Sequence, residues 1–244
     1  MQMGREPQER PAQSPGSRAI GQLQEKSLHA ALKDWYRQEG DHLEMPIDGY
    51  IVDIVRGDLL IELQTRNFSQ LKPKLACLLQ AHPVRLVYPI AQEKWIVRMS
   101  GDGQSQIARR RSPKHGRVEH LFQELVSLPD LVNHPNFSLE VLLTQEEEVW
   151  QDDGKGSWRR KGWSVGDRRL LEVVDSLRLE SGGDFRSLIP KSLVQPFTSL
   201  DLSRELRLPR GLAQKMAYCL RRMGVLQVEG KQKRAWLYRI WQDR

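Results

Sequence analysis

The segment Tyr50–Thr65, YIVDIVRGDLLIELQT, constrains this chain more than any other stretch. Two apolar, β-branched runs flank Gly57-Asp58, which predicts a hairpin closed by a two-residue turn. Counting outward from the turn, Arg56 faces Leu59, Val55 faces Leu60, Ile54 faces Ile61 and Asp53 faces Glu62. Alternation along each strand then gives one apolar face of Val52, Ile54, Leu59, Ile61 and Leu63. The other face carries Val55 and Leu60 near the turn, then Asp53, Glu62 and Gln64. Opposed carboxylates destabilise a hairpin, and burial adds to the cost. Three remedies exist: a raised pKa, a neighbouring cation from the protein, or a bound metal. Oxygen donors of this kind suit Mg²⁺ or Mn²⁺, which accept one or two carboxylates and keep several waters. Such an ion polarises a phosphoryl group and generates hydroxide.

The flanks read clearly. Leu28, Ala31, Leu32, Trp35 and Tyr36 recur at helical spacing, predicting an amphipathic helix over 22–38. Glu25, three and seven positions before Leu28 and Leu32, falls on its inner side. Phe68, Leu71, Leu75, Leu78 and Leu79 predict a second helix with Pro73 in its first turn. Strands are predicted at 84–90 and 94–99. The order is helix, strand, strand, helix, strand, strand.

With these residues in place, the block 22–100 resembles the PD-(D/E)XK nuclease superfamily, whose hairpin carries an Asp on one strand and a (D/E)-x-K triplet on the next. Asp53 and Glu62-Leu63-Gln64 stand in those places, and an acidic residue on the leading helix is matched by Glu25. Val52 replaces the family's Pro and Gln64 its Lys. The resemblance implies a restriction-endonuclease-like α-β-β-α-β core in an α/β protein. It implies metal held by Asp53 and Glu62, with Glu25 tuning it through a water. Gln64 would orient the attacking water or steady transition-state charge, helped by Lys72 or Lys74 on the following helix. Because Gln is not a cation, a fold of this kind that binds without cutting is the alternative expectation.

The last block, 163–244, is read as a second unit. Leu170, Val173, Val174 and Leu177 predict an inward-facing helix over 167–179. Thr198 or Ser199 caps a short helix reaching Leu206. Leu212, Met216, Cys219, Leu220 and Met223 trace a longer one closed by Gly224. Strands at 225–228 and 234–240 surround Gly230-Lys231. Three helices and a hairpin resemble an α+β winged-helix domain, a helix-turn-helix variant. The resemblance places the longer helix in the major groove of DNA. Arg210, Gln214 and Lys215 would then lie near bases, Arg221 and Arg222 on phosphates, and Lys231, Lys233 and Arg234 at a basic wing tip. The rival reading of this unit is a protein-interaction or dimerisation module.

Charge agrees with a polyanion partner: 38 Lys and Arg against 31 Asp and Glu give a net +7 and a pI near 9.5. No apolar run reaches the length of a membrane span, and the polar start does not read as a secretory signal. Cys77 and Cys219 are too few and too far apart for a disulfide framework or a cysteine zinc site. They read as reduced core thiols, which together with the absent signal predicts a cytoplasmic protein. Residues 1–21 form a Pro- and Gly-bearing leader predicted to be disordered. Residues 101–162 read as a linker with an accessory helix near Leu121–Val126 and a strand over Phe137–Leu143. Within that region His115, His120 and His134 lack the helical spacing of zinc ligands. Trp150, Trp158 and Trp163, interleaved with Arg159, Arg160 and Lys161, read as core aromatics beside a basic loop, with a base-stacking surface as the alternative. A homodimer is expected only by analogy with both classes.

Overall fold

The computed structural model describes residues 20–241 apart from 157 and 161; of Ile20–Lys26 and Arg159 only the backbone is described. The predicted leader lies almost wholly outside the described residues. The architecture is mixed α/β, with helices on both faces of a seven-stranded mixed sheet and a separate two-stranded hairpin.

The chain begins with α1 (Ile20–Tyr36) and a three-strand meander of β1 (His42–Ile47), β2 (Tyr50–Arg56) and β3 (Leu59–Leu63). The helix α2 (Phe68–Leu78) then crosses to β4 (Val84–Met99), which lies parallel to β3. The predicted hairpin register holds: Arg56 pairs Leu59, Val55 pairs Leu60 and Ile54 pairs Ile61. Gly57 at φ 56° supplies the left-handed turn residue. Sequence reading missed β1, an edge strand interrupted by Pro46, so the leading order is α-β-β-β-α-β rather than α-β-β-α-β. It also divided β4 in two at the irregularity between Ala91 and Glu93. Pro73 falls in the second turn of α2, not the first.

Residues 101–162 hold the expected short helix and strand, but as parts of the sheet and its core rather than of a linker. β5 (Gln106–Arg111) pairs with the far half of β4, and β6 (Phe137–Gln151) runs parallel to the whole of β4. Between them a 3-10 turn at Val118–Leu121 leads into the short α3 (Phe122–Leu125). β7 (Ser164–Leu179) closes the sheet antiparallel to β6. The helix predicted over 167–179 is therefore a strand. Its ladder with β6 slips between Leu143 and Thr144 and between Gln145 and Glu146, leaving Val174 and Leu171 as unpaired, exposed bulge residues. Each bulge adds one residue to the alternation. Leu170 and Val173, three apart, thus both pack toward α1, a spacing that imitates a helix.

The C-terminal unit comprises α4 (Gly182–Ser187), α5 (Ser199–Glu205), α6 (Arg210–Arg222) and the hairpin β8 (Leu226–Gln232) with β9 (Ala235–Ile240). A bridge between Phe197 and Tyr238 ties the approach to α5 onto the hairpin. Reciprocal capping boxes start α4 at Ser181–Asp184 and α5 at Thr198–Asp201. The hairpin turn is Lys233-Arg234, with Lys233 at φ 56°, not Gly230-Lys231 as predicted.

Two apolar cores flank the sheet. On one face α1 buries Leu28, Leu32 and Tyr36 against Ile54, Ile61, Leu63, Val87 and Leu142. The opposite core is continuous from Phe68 and Leu75 of α2, through Phe122 and Leu125 of α3, to Leu212, Met216 and Leu220 of α6. Cys219 lies in that core, whereas Cys77 is exposed, against expectation. Among the described residues no helix is long and apolar enough to cross a membrane.

Candidate functional site

At the open end of the β2–β3 hairpin the ladder stops after Ile54 and Ile61, and the two acids replace it. The Leu63 N–H donates to Asp53 Oδ2 at 2.9 Å. Asp53 thus satisfies a backbone donor of the facing strand where the ladder has ended.

The acids do not share one face as predicted. Asp53 turns to α1, where His29 Nε2 stands 3.3 Å from Oδ2 and Lys33 Nζ 3.7 Å from Oδ1. Glu62, only 4% exposed, turns to α2, where Lys74 Nζ lies 2.5 Å from Oε1. Lys74 also donates to the Ile51 carbonyl. Burial, then the charge of Asp53, pushes the Glu62 carboxyl up to about 7, against the pull of Lys74. Burial acts to raise Asp53, but the hydrogen bond and charge of His29, the Leu63 N–H and the charge of Lys33 together hold it below the usual carboxylate range. The hydrogen bond to Asp53 raises His29 in turn.

Of the other predicted members, Gln64 donates its amide to the Arg66 carbonyl two residues on. Lys72 is exposed on α2, and Lys74 alone of the two lysines reaches the acids. The Glu25 side chain lies outside the described residues. His29 and Lys33 were missed; their signal was helical spacing behind Glu25, one and two turns on along the same side of α1. Two carboxylates are the donors Mg²⁺ or Mn²⁺ would take. Here, however, they face different helices and each already holds a cation. Among the described residues no three His, Cys, Asp or Glu side chains converge. As arranged, the pair does not fit an ion held between its members.

A second constellation lies on the C-terminal unit. Arg210, Gln214, Tyr218 and Arg221 form an exposed stripe along α6, with the Arg221 guanidinium 5.9 Å from the Tyr218 ring centre. Between this helix and the β8–β9 hairpin runs a groove of about 640 Å³ lined by Ser199, Arg210, Gln214, Lys233, Arg234 and Trp236, among others. Lys231, the cross-strand partner of Trp236, holds its ammonium 4.2 Å from the centre of the Trp236 ring. Two predicted contacts face away from the groove. Lys215 reaches the Gln123 carbonyl at 3.4 Å, and Arg222 pairs with Asp130 at 2.5 Å. Both lie on the side of α6 that meets α3 and the loop after it. Sequence reading missed Tyr218 and Trp236, whose signal was an aromatic between basic residues at a surface position.

The charge runs of 109–111 and 146–148 prove to be sheet residues. Lys94 pairs with Glu148 at 2.7 Å, Arg168 with Glu146 at 2.8 Å and Arg109 with Glu147 at 2.7 Å. Trp150 is buried and Trp163 half-buried, with Arg98 lying against both rings, while Trp158 is 83% exposed rather than core.

Comparison with known proteins gives two matches. A family described as a domain of unknown function (DUF8091) matches residues 26–180, which run from α1 through β7. A protein of Treponema pallidum (strain Nichols), described as uncharacterized, is 33% identical over 224 residues, covering 90% of this chain and 87% of the relative. No solved structure matches.

Proposed function

The chain belongs to the DUF8091 family, and we propose that this member is a DNA-binding protein whose C-terminal unit works as a winged helix on a nuclease-like but silent α/β body. The observation that carries the proposal is the basic groove between α6 and the β8–β9 hairpin. In this reading α6 enters the major groove with Arg210 and Gln214 near base edges. An Arg there pairs with guanine and a Gln with adenine. Lys233 and Arg234, at the hairpin turn, contact phosphates, fixing the register and supplying most of the affinity. The α-β-β-β-α-β order, with β3 parallel to β4, supports the nuclease-like reading of the body. The internal cations on Asp53 and Glu62 support its silence.

The test is anisotropy of a labelled DNA duplex titrated with the full chain at several salt concentrations. Binding is expected to weaken linearly in log–log form. Arg234→Ala is expected to reduce that slope by about 1, because one phosphate is no longer neutralised. Absence of duplex binding at low salt would overturn the proposal in favour of a protein-interaction module.

Metal-dependent hydrolysis at the hairpin is the second reading, favoured by one observation: the buried Glu62 Oε1 meets the Lys74 ammonium as an ion pair but accepts no further hydrogen bond among the described residues. Plasmid nicking with Mg²⁺ or Mn²⁺, abolished by EDTA and by Glu62→Ala, would establish it. Duplex binding without nicking leaves the silent body.

A further inference from the structure

We propose that the DNA bound here is a duplex opening into an unpaired strand, with Trp236 stacking on the first unpaired base. The inference rests on the winged-helix reading and names its substrate class. Trp236 is 49% exposed on β9, one position past the residue that closes the Lys233-Arg234 turn. The groove beside it carries Arg210, Gln214, Gln232, Lys233 and Arg234, with Leu200, Ala235 and Tyr238 as its apolar lining. The cations flanking the indole interrupt the contiguous apolar surface that docking of another protein needs.

Nor does a phosphate contact need it: ammonium, guanidinium and hydroxyl groups serve there. The Lys231 ammonium over the ring adds positive charge where a strand must pass and steadies the indole by cation–π attraction. What an exposed, cation-backed indole offers is a flat π surface. Every base has a matching face, so recognition by stacking tolerates any sequence. In a closed duplex both faces of each base are covered by its neighbours; the first base beyond a junction has a face to offer. The stripe on α6 then holds the paired part, and Trp236, across the groove, meets the strand as it leaves.

The experiment uses the full chain with three ligands: a blunt duplex, the same duplex with a single-stranded tail of either polarity, and the tail strand alone. A 2-aminopurine at the first unpaired position reports stacking directly. Wild type is expected to bind one tailed duplex about tenfold more tightly than the blunt one, the order of a single base–aromatic stack, and to quench the 2-aminopurine. Trp236→Ala is expected to lose the preference for the tailed duplex and the quenching, with a smaller loss on the blunt duplex, and a wild-type far-ultraviolet circular dichroism spectrum shows that the variant folds. Trp236→Phe is expected to retain most of both. Equal affinity for blunt and tailed duplexes, or an equal loss on both in Trp236→Ala, overturns the proposal. If blunt duplex binds and Arg210→Ala abolishes it, such a result leaves the winged-helix reading standing. Failure to bind any of the three ligands at low salt overturns both.

Discussion

Glu62 is the residue whose environment departs furthest from water among the hairpin acids. Its carboxyl, ordinarily 4.5, titrates at about 7 in the fold. Between those values the folded chain holds a proton that the unfolded chain has lost, so stability falls as pH rises through the window. His29, raised above 6.5, acts in the same direction, since its contribution is present below 6.5 and lost as pH rises through its folded value. Asp53 acts oppositely and only in acid: its contribution is present above 3.8 and lost as pH falls through its lowered value. Urea unfolding is therefore expected to show a more stable protein at pH 5 than at pH 8. The share due to Glu62 is on the order of 3 kcal/mol, and Glu62→Gln should flatten that difference. Lys74→Met, which strands the buried acid, is expected to cost roughly 3–5 kcal/mol at pH 8. It should cost less at pH 5, where Glu62 is protonated. Equal losses at both pH values would show that Lys74 acts by packing rather than by charge.

Among the elements, those built by local rules were legible. The β2–β3 turn announced itself through Gly57-Asp58, and α1, α2 and α6 through apolar residues recurring every three or four positions. The elements that went astray depend on distant partners. β7 imitated a helix because its bulges, visible only against β6, break the two-residue alternation. Arg109 and Glu146–Glu148 fell within a stretch expected to be a linker because the ion-pair partners that hold them in the sheet lie far along the chain. At the candidate site the identities Asp53, Glu62 and Lys74 were readable, but their orientation was not. The β2–β3 ladder ends just before the acids, so strand alternation ceases to govern where they point. Thr198 tests the elements built locally. Its side chain accepts from the Asp201 N–H, and the Asp201 carboxylate accepts from both Thr198 N–H and Oγ1. Thr198→Ala is expected to lower stability by about 1 kcal/mol through loss of the cap of α5. A calorimetric Tm unchanged from wild type would show that α5 is held by packing alone.

The whole molecule unfolds as its cores dictate. The apolar cluster beneath α2 runs without a break through α3 into α6, and ion pairs and hydrogen bonds such as Arg222–Asp130 and Lys215–Gln123 stitch the same seam. Urea transitions followed by far-ultraviolet circular dichroism and by tryptophan fluorescence are accordingly expected to coincide. Phe122, fully buried in α3, sits at the joint. Phe122→Ala is expected to cost about 3–5 kcal/mol and to move both probes together. Two separated transitions, with only one shifted, would mean that the α/β body and the C-terminal unit fold independently. A shared core also limits how this chain can vary. A recognition unit tethered by a flexible linker can be exchanged between proteins like a bit in a drill. Here the graft would have to carry α3 and the strand ends beneath it, or leave the faces of Phe122 and Met216 bare to water. On the proposed DNA-binding reading, new preferences in such a chain arise by substitution along the outer stripe of α6, not by domain shuffling.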